Sequence, residues 1–386
     1  MFRIGKEEIK AIENVLLSGK VFRYGIGGEC ARFEERYAKY LGVKHCLMTS
    51  SGTTALTAAL VGQNIGPGAE VLVPACTYIA TAIAVLAAGA IPVIVDIDES
   101  ITISPAAIEK AIGPKTKAVI PVHMWGLPCD MDAIMAIAKK YNLIVIEDAC
   151  QCVGGGYKGR KAGSIGHAAG FSFNYYKNMT AGEGGAVVTN DDAAIARMGC
   201  LVECCKFYWT DRKTDESLFV SNGARASEIE GAILNVQLDR IDGMLDIMRG
   251  YKKRILAALA DTSLQPIKAN SLDSEAGTHV MFVLPSEAQA TKFQQLAGSG
   301  IAGKTGRHVY TEWDPIFDHR GAPYDAMNPY LMEVNRGCRM DYRKDMCAAS
   351  LGILNRTAMF GLHPDRTESE IDQLVERIRK AAAQVL

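Results

Sequence analysis

Short apolar segments alternate with helical segments between residues 45 and 148, and this alternation constrains the fold more than any other feature. The segments 45–49 (HCLMT), 71–74 (VLVP) and 143–148 (LIVIED) have the length and composition of buried strands. Intervening segments such as 130–141 (DMDAIMAIAKKY) carry apolar residues at helical spacing. Strands that alternate with helices predict an α/β fold in three layers, with a mainly parallel sheet between two layers of helices.

One uncharged run, residues 71–95, is long enough to cross a membrane. Pro74, Gly89 and Pro92 divide this run, because proline and glycine interrupt regular structure. The pieces between them have the lengths of a strand, a buried helix and a second strand. We therefore predict that the run belongs to the α/β fold and that the chain has no membrane partner.

The charge balance and the cysteines limit the partners and the compartment. Lys and Arg total 42 and Asp and Glu total 43, so the net charge of −1 gives no reason to expect a nucleic acid partner. The eleven cysteines match no zinc spacing, and we predict neither a metal site nor a disulfide framework. The N-terminal sequence MFRIGKEEIK lacks an apolar signal core. Together these features predict a cytoplasmic protein with reduced thiols.

The second half of the chain changes character near residue 240. Apolar residues in 227–259 recur at alternating steps of four and three, which predicts one long or broken helix that joins two domains. The segment 279–285 (HVMFVLP) predicts a strand of a second sheet. We therefore expect a large domain over residues 1–240 and a smaller α+β domain over residues 241–386.

The segment 170–190 (GFSFNYYKNMTAGEGGAVVTN) contains a single lysine, Lys177, which aromatic residues precede and glycines follow. A neutral lysine amine is a nucleophile that forms a Schiff base with an aldehyde or ketone. Glycine allows the backbone to approach a flat ligand closely. The alternative is a surface lysine on a hairpin between two strands, and the spacing alone does not choose between the two.

A candidate anion site precedes a predicted helix at residues 50–53 (SSGT). Free backbone N–H groups and the helix dipole attract a phosphate at such a turn, and the hydroxyls add donors. A simple Ser or Thr N-cap is the more common use of these residues.

Two further candidates follow predicted strands. Asp148 ends the strand 143–148, where a carboxylate points into the ligand crevice of an open α/β sheet, and Gln151 follows within reach. A capping role for Asp148 is the alternative. Tyr78 follows the strand 71–74 and could stack on a planar cofactor, or it could be a core tyrosine.

These elements together are what pyridoxal phosphate requires. The phosphate needs a helix N-terminus and hydroxyls, the pyridine nitrogen needs a carboxylate, the ring needs an aromatic neighbour and the aldehyde needs a lysine. At these residues the chain resembles the DegT/DnrJ/EryC1/StrS sugar aminotransferases, which have the aspartate-aminotransferase-like fold (fold type I). The matching runs are SSGTTAL, VPACTYIATA, PVHMWGLPCDMDAI, IEDACQCVGGGYKGRKAGSIG and SFNYYKNMTAGEGGAVVTND. The resemblance covers most of residues 5–240 and returns at 353–380.

The resemblance implies a role for each cofactor residue. Lys177 would hold the cofactor covalently and then move the proton, while Asp148 would pair with the pyridine nitrogen. Gln151 would contact the ring hydroxyl, and Tyr78 would stack on the ring. The phosphate would be held by Gly52, Thr53 and Ser172.

The resemblance also implies a homodimer with active sites at the interface, and an amino donor that we expect to be L-glutamate. In the family, an asparagine two residues before an arginine reaches the neighbouring subunit's phosphate. Here Asn222 lies three residues before Arg225, and it is still the best candidate for that contact. We expect His123 and Trp125 to line the crevice, with a structural histidine as the alternative at residue 123.

Within the family, several runs resemble the members that aminate 8-oxo-3,8-dideoxy-manno-octulosonate to give 8-amino-3,8-dideoxy-manno-octulosonate for lipopolysaccharide. A sugar acid of this kind needs a cationic clamp for its carboxylate. The candidates for substrate contacts near such a clamp are Arg23, Tyr24, Lys304, Arg307 and His308.

Several alternatives to this function stay open on the sequence. The substrate could be a nucleotide-linked keto-sugar or a keto-inositol. A non-catalytic regulatory protein on the same scaffold would be expected to lose Lys177 or Asp148, and both are present. Family members that are dehydratases carry histidine in place of the lysine.

Overall fold

The computed structural model describes residues 4–23, 27–205 and 218–386. The helices are α1 (Lys6–Ser18), α2 (Glu29–Leu41), α3 (Gly52–Gly62), α4 (Ala80–Ala87), α5 (Pro105–Ala111), α6 (Met131–Tyr141), α7 (Asp192–Val202), α8 (Glu228–Leu238), α9 (Ile241–Ala258), α10 (Glu287–Ala297), α11 (Asp314–Phe317), α12 (Ala348–Leu354) and α13 (Glu368–Val385). The strands are β1 (His45–Thr49), β2 (Glu70–Pro74), β3 (Ile91–Val95), β4 (Thr116–Val119), β5 (Ile144–Asp148), β6 (Gly156–Tyr157), β7 (Arg160–Lys161), β8 (Ala168–Ser172), β9 (Gly185–Thr189), β10 (Gln265–Pro266), β11 (His279–Val283), β12 (Gly300–Ile301) and β13 (Thr357–Gly361).

Seven strands form the large sheet in the order β1-β9-β8-β5-β4-β2-β3. Strand β9 is antiparallel to both of its neighbours, and the remaining strands run parallel to one another. Alternate residues of β1 enter different apolar clusters: Leu47 packs with Leu56 of α3, whereas Met48 packs with Phe33 of α2. Helices therefore cover both faces of the sheet, and the predicted three-layer α/β architecture is confirmed.

The uncharged run 71–95 forms β2, α4 and β3, as predicted. Among the residues that the structure describes, no helix is both long enough and apolar enough to span a membrane. All eleven cysteines are free thiols, eight of them buried and three half-buried.

Proline limits one strand of the large sheet, and a turn divides one predicted helix. Strand β4 ends at Val119, because Pro121 has no N–H group to continue the ladder. The helical segment 227–259 is two helices, α8 and α9, which meet at Asp239 and Arg240. The broken form of the predicted helix is therefore the observed one.

A second, antiparallel sheet follows α9 in the order β10-β11-β13-β12. Helices α9, α10 and α13 contribute to its apolar cluster, with Ile255, Phe293 and Ile371 among the buried side chains. The chain between β12 and α12 returns to the large sheet, where the hydroxyl of Tyr342 donates to the carbonyl of Pro92 at 2.7 Å. The two sheets are therefore joined by shared packing, and the division at residue 240 stays a prediction.

Candidate active site

The ends of three parallel strands and one loop meet around a cavity of about 220 Å³. Asp148 ends β5, Ser172 ends β8, Gly52 begins the helix after β1, and Lys177 lies in the loop between β8 and β9. Carboxyl ends of parallel strands meet at one edge of a sheet, which is where open α/β folds bind ligands. The residues that line the cavity are Ser51, Gly52, Thr53, Leu56, Thr77, Tyr78, Ala80, Thr81, Asp148, Cys150, Gln151, Ser172, Asn174, Lys177 and Glu183.

The start of α3 forms one end of this cavity. Ser51 is the N-cap, and its hydroxyl accepts a hydrogen bond from the Thr54 N–H at 3.2 Å. Gly52 is packed so tightly that a Cβ there would lie 2.7 Å from the Cβ of Ser172 and 2.9 Å from the Sγ of Cys150. Glycine at residue 52 therefore allows the N-terminus of α3, where backbone N–H groups favour an anion, to lie close to Ser172 and Cys150.

The carboxylate of Asp148 is almost fully buried and has two hydrogen-bond donors from the protein. The hydroxyl of Thr81 donates to Oδ2 at 2.7 Å, and the N–H of Cys150 donates to Oδ1 at 3.1 Å. A second hydroxyl, that of Thr77, lies 2.7 Å from the Thr81 hydroxyl. Asp148 thus makes the expected capping contact and faces the cavity at the same time.

Sequence reasoning missed both threonines. Their spacing of four residues across the start of α4 was a usable signal, since it places two hydroxyls on one face of a helical turn. Both side chains line the cavity beside Asp148, so they fix the orientation of its carboxylate.

Lys177 is half-buried, and its backbone N–H donates to the carbonyl of Asn174 at 3.0 Å. It lies in the loop between the antiparallel strands β8 and β9, and among the described residues no carboxylate lies within ion-pairing distance of its amine. The side chain lines the 220 Å³ cavity and also a second, larger one. The amine is therefore placed between the two.

The second cavity has a volume of about 380 Å³ and lies between the two sheets. It shares Cys150, Gln151 and Lys177 with the first cavity. The other lining residues are Trp125, Val153, Tyr176, Asn178, Met244, Met248, Thr278, His279, His308, Gly361, Leu362, His363 and Pro364. Most of these side chains are apolar or aromatic, and Lys177 is the one lysine or arginine among the described residues that line it.

Trp125 and His308, which were predicted to contact substrate, both line this second cavity. The ring of His308 lies 6.0 Å from that of Trp125 and 5.3 Å from that of Tyr78, measured between centroids. Sequence reasoning missed His279, at the start of β11, whose ring lies 6.3 Å from that of Trp125. No local motif marks His279, because its neighbours in the cavity come from a distant part of the chain.

The two histidines are neutral near neutral pH. Burial lowers the pKa of His279 to about 4. Burial and the nearby charge of Lys177 lower the pKa of His308. The larger cavity therefore contains imidazole rings that act as hydrogen-bonding groups rather than as cations.

The prediction that His123 lines the crevice is wrong. Its ring is fully buried, with Nε2 2.9 Å from a carboxylate oxygen of Glu147 and Nδ1 accepting from the Cys129 N–H at 3.1 Å. Although burial by itself would raise the pKa of Glu147, hydrogen bonds from His123 and from backbone N–H groups lower it. The structural alternative for His123 is therefore the observed one.

The proposed cationic clamp is also not found at the cavities. Arg23 is buried, and its guanidinium donates to Glu34 and, at 3.3 Å, to the carbonyl of Met48. Lys304 and Arg307 are exposed and line neither cavity. An arginine already held in a buried ion pair is not available to a substrate carboxylate.

Two more predicted residues lie away from the cavities or cannot be placed. Tyr24 lies outside the described residues. Asn222 is exposed, on a segment that is held against the end of α7 by a hydrogen bond from the Ser221 N–H to the Cys204 carbonyl at 2.8 Å. Its contact with a partner subunit stays a prediction.

The fold and the first cavity define a class of enzyme. A buried carboxylate, a helix N-terminus with hydroxyls and an unpaired lysine amine at one sheet edge fit pyridoxal phosphate, and the chain is a pyridoxal-phosphate-dependent sugar aminotransferase. It belongs to the DegT/DnrJ/EryC1/StrS aminotransferase family, whose model matches residues 3–379. When bound, the cofactor supplies an aldehyde that takes up an amino group and a ring that accepts electrons.

Similar proteins support this assignment. The chain is 42% identical over 362 residues to GDP-perosamine synthase from Caulobacter vibrioides, an alignment that covers 91% of this chain and 89% of the relative. It is 43% identical over 242 residues, 62% of this chain and 64% of the relative, to a dTDP-3-amino-3,6-dideoxy-α-D-galactopyranose transaminase from Aneurinibacillus thermoaerophilus. The crystal structure of an aminotransferase from Psychrobacter cryohalolentis superposes with a TM-score of 0.81 at 29% identity, covering 99% of this chain and 98% of that one.

Proposed function

We propose that this enzyme transfers an amino group from L-glutamate to a keto-sugar linked to a nucleotide. The relatives named above act on GDP- and dTDP-linked amino sugars, which supports a substrate of this kind. The observation that carries the proposal is the chemistry of the larger cavity, which offers aromatic and neutral polar groups to a sugar. Apart from Lys177, the described residues that line it include no lysine or arginine that could pair with a carboxylate on the sugar itself.

We assign the residues of the first cavity to the cofactor. Lys177 would hold the cofactor covalently through its Nζ atom and would move a proton at that atom. Asp148, oriented by Thr81, would keep the pyridine nitrogen protonated. Gln151 would contact the ring hydroxyl, and Tyr78 would stack on the ring. The phosphate contacts are assigned to Gly52, Thr53 and Ser172.

The amination of 8-oxo-3,8-dideoxy-manno-octulosonate is the second candidate, because several sequence runs resemble enzymes of that type. This substrate carries a carboxylate that needs a cation. Arg23 is committed to Glu34, and neither Lys304 nor Arg307 reaches the cavities. A keto-inositol needs no such clamp and is a third substrate to test.

The experiment measures glutamate-dependent amination with three substrates: a GDP-linked 4-keto-6-deoxyhexose, the 8-oxo octulosonate and a keto-inositol. We expect turnover of the nucleotide-linked sugar, with the Lys177→Ala variant as the inactive control. Turnover of the octulosonate alone would reject the proposal. Colourless protein that takes up no pyridoxal phosphate and is unchanged by borohydride would favour a non-catalytic role.

We further propose that the enzyme acts as a homodimer. Helix α1 exposes apolar side chains, with Ile9 63%, Leu16 55% and Leu17 79% exposed, and a partner subunit would cover such a surface. If Asn222 reaches the partner's cofactor, a mixture of Lys177→Ala and Asn222→Ala subunits regains part of the lost activity. Mixed dimers then contain one site with both native residues. Light scattering that gives the monomer mass would contradict the dimer.

A further inference from the structure

His279 and His308 lie on the wall of the larger cavity, and each uses Nδ1 to contact a backbone carbonyl. The Nδ1 atom of His279 lies 3.2 Å from the carbonyl oxygen of Trp125 and 3.1 Å from the hydroxyl of Thr278, which itself donates to the same carbonyl at 2.6 Å. The Nδ1 atom of His308 lies 3.1 Å from the carbonyl oxygen of Thr305. A carbonyl oxygen can only accept and the Thr278 proton is already donated, so Nδ1 is the protonated nitrogen in both rings.

This tautomer leaves Nε2 of each ring with a lone pair. No described residue hydrogen-bonds to Nε2 of either histidine, and both rings line the cavity. The lowered pKa of each imidazole agrees with two neutral acceptors. Both histidines are half-buried and line the cavity, so the two Nε2 atoms can accept hydrogen bonds from donors on a ligand.

The two rings flank Trp125, with centroid distances of 6.3 Å and 6.0 Å to its ring. The indole is 7% exposed and offers an apolar face on which the carbon-bound hydrogens of a sugar ring can rest. Lys177 lines the same cavity, so a sugar held there has its reacting carbon near the amine.

We propose that His279 and His308 form a hydroxyl-recognition site, in which each Nε2 accepts a hydrogen bond from a hydroxyl of the sugar ring. This inference rests on the proposed function and adds the group by which the enzyme selects its substrate. Two lone pairs attract hydroxyl groups and repel a carboxylate. A site built to bond a hydroxyl also discriminates against an analogue that lacks it, because the acceptor is then left unpaired.

The test uses two nucleotide-linked amino sugars in the reverse direction, with 2-oxoglutarate as acceptor and the cofactor-loaded enzyme. The probes are dTDP-3-amino-3,6-dideoxy-D-galactose and dTDP-3-amino-3,4,6-trideoxy-D-glucose, which differ in the hydroxyl at carbon 4. We expect the native enzyme to prefer the hydroxylated probe in kcat/KM by about tenfold or more.

The variants are His279→Phe and His308→Phe. In one of them the preference falls to about unity, because the acceptor for the 4-hydroxyl is gone. In the other, KM rises by about tenfold for both probes, which keep the hydroxyl at carbon 2. The variants His279→Gln and His308→Gln retain a hydrogen-bond acceptor and should recover most of the preference. The control variant is His45→Phe, on β1, where residue 45 lines neither cavity; it should change neither the preference nor KM.

A native enzyme that turns over neither probe nor the GDP-linked keto-sugar would reject the nucleotide-sugar function and, with it, this inference. If only the GDP-linked sugar is turned over, a KM for it that neither Phe variant raises would overturn the hydroxyl-recognition site alone. Turnover of both probes with a ratio that neither Phe variant alters would overturn the hydroxyl-recognition site alone. A change in pyridoxal phosphate affinity, measured by absorbance titration, with no change in KM would assign the histidines to the cofactor and would also overturn it.

Discussion

The two cavities that meet at Lys177 are built in opposite ways. The smaller one is polar, with a buried carboxylate, hydroxyls and a helix N-terminus, and its residues come from loops that directly follow strands of one sheet. The larger one is mostly apolar, and its two neutral histidines come from segments near the second sheet. A charged cofactor needs fixed charges and donors, whereas a neutral sugar needs a shaped wall and a few hydrogen-bonding atoms.

This difference between the cavities shows where residues assigned to the cofactor and residues assigned to the substrate lie in the chain. Cofactor residues recur at strand ends, because the sheet itself brings those ends together. Substrate residues depend on how the second sheet packs against the first. Variants in the two cavities should therefore affect different measurable quantities.

Lys177→Ala has the largest expected effect, because it removes the amine that lines both cavities and is assigned the covalent link to the cofactor. We expect transamination to fall by at least about a thousandfold and the visible absorbance of the bound cofactor to be lost. Activity assays and absorbance spectra check this. Activity of the variant within tenfold of the native enzyme would contradict a catalytic role for the Lys177 amine.

Asp148→Asn tests the charge in the smaller cavity. We expect kcat to fall by about a hundredfold, close to 3 kcal/mol in barrier height, because an amide does not hold the pyridine nitrogen protonated. Steady-state kinetics with a fixed sugar check the change. If Met248→Ala, in the larger cavity, lowered kcat by the same factor, the proposed difference between the two cavities would be wrong.

Glu147→Gln tests the stability of the fold next to the smaller cavity rather than the chemistry in the cavity. The carboxylate is buried with His123 and several N–H groups, so its replacement should cost about 3 kcal/mol in the free energy of unfolding. Because its folded pKa is lowered, the native stabilisation is present above the ordinary carboxyl pKa and is lost as pH falls through the lowered value. Denaturant titrations at several pH values should show a weaker acid dependence in the variant.

Thr81→Val removes one donor to Asp148 and keeps the shape of the side chain. Loss of a hydrogen bond to a charged group should weaken cofactor binding by about tenfold and shift its absorbance spectrum, while KM for the sugar is unchanged. Thr81→Ser retains the hydroxyl and is the matched control. An altered KM with unaltered cofactor affinity would place Thr81 on the substrate side.

Met248→Ala should have the smallest effect. It enlarges the apolar wall of the larger cavity and should raise KM for the sugar less than about tenfold, with cofactor affinity unchanged. Titration with pyridoxal phosphate and sugar kinetics measure the two quantities separately. A loss of cofactor affinity would show that the two cavities are not independent.

The sequence alone predicted the α/β class, the cofactor, the strand-end residues Asp148 and Ser172, and Lys177 in the loop after Ser172, because apolar periodicity and local motifs carry that information. It could not decide between the two roles of His123, since a histidine after a strand looks the same in a core and in a crevice. It also placed Arg23 with the substrate, because the buried partner Glu34 is not visible as a pair in the sequence.

Only the tertiary structure brought His279, His308 and Trp125 onto one wall, since these residues lie far apart in the chain and meet through the packing of the second sheet on the first. It also decided which nitrogen of each histidine is left without a carbonyl partner, because that depends on backbone carbonyls contributed by the fold. Local sequence specifies the smaller cavity, which is assembled near strand ends, whereas long-range packing specifies the wall of the larger cavity that we propose selects the sugar.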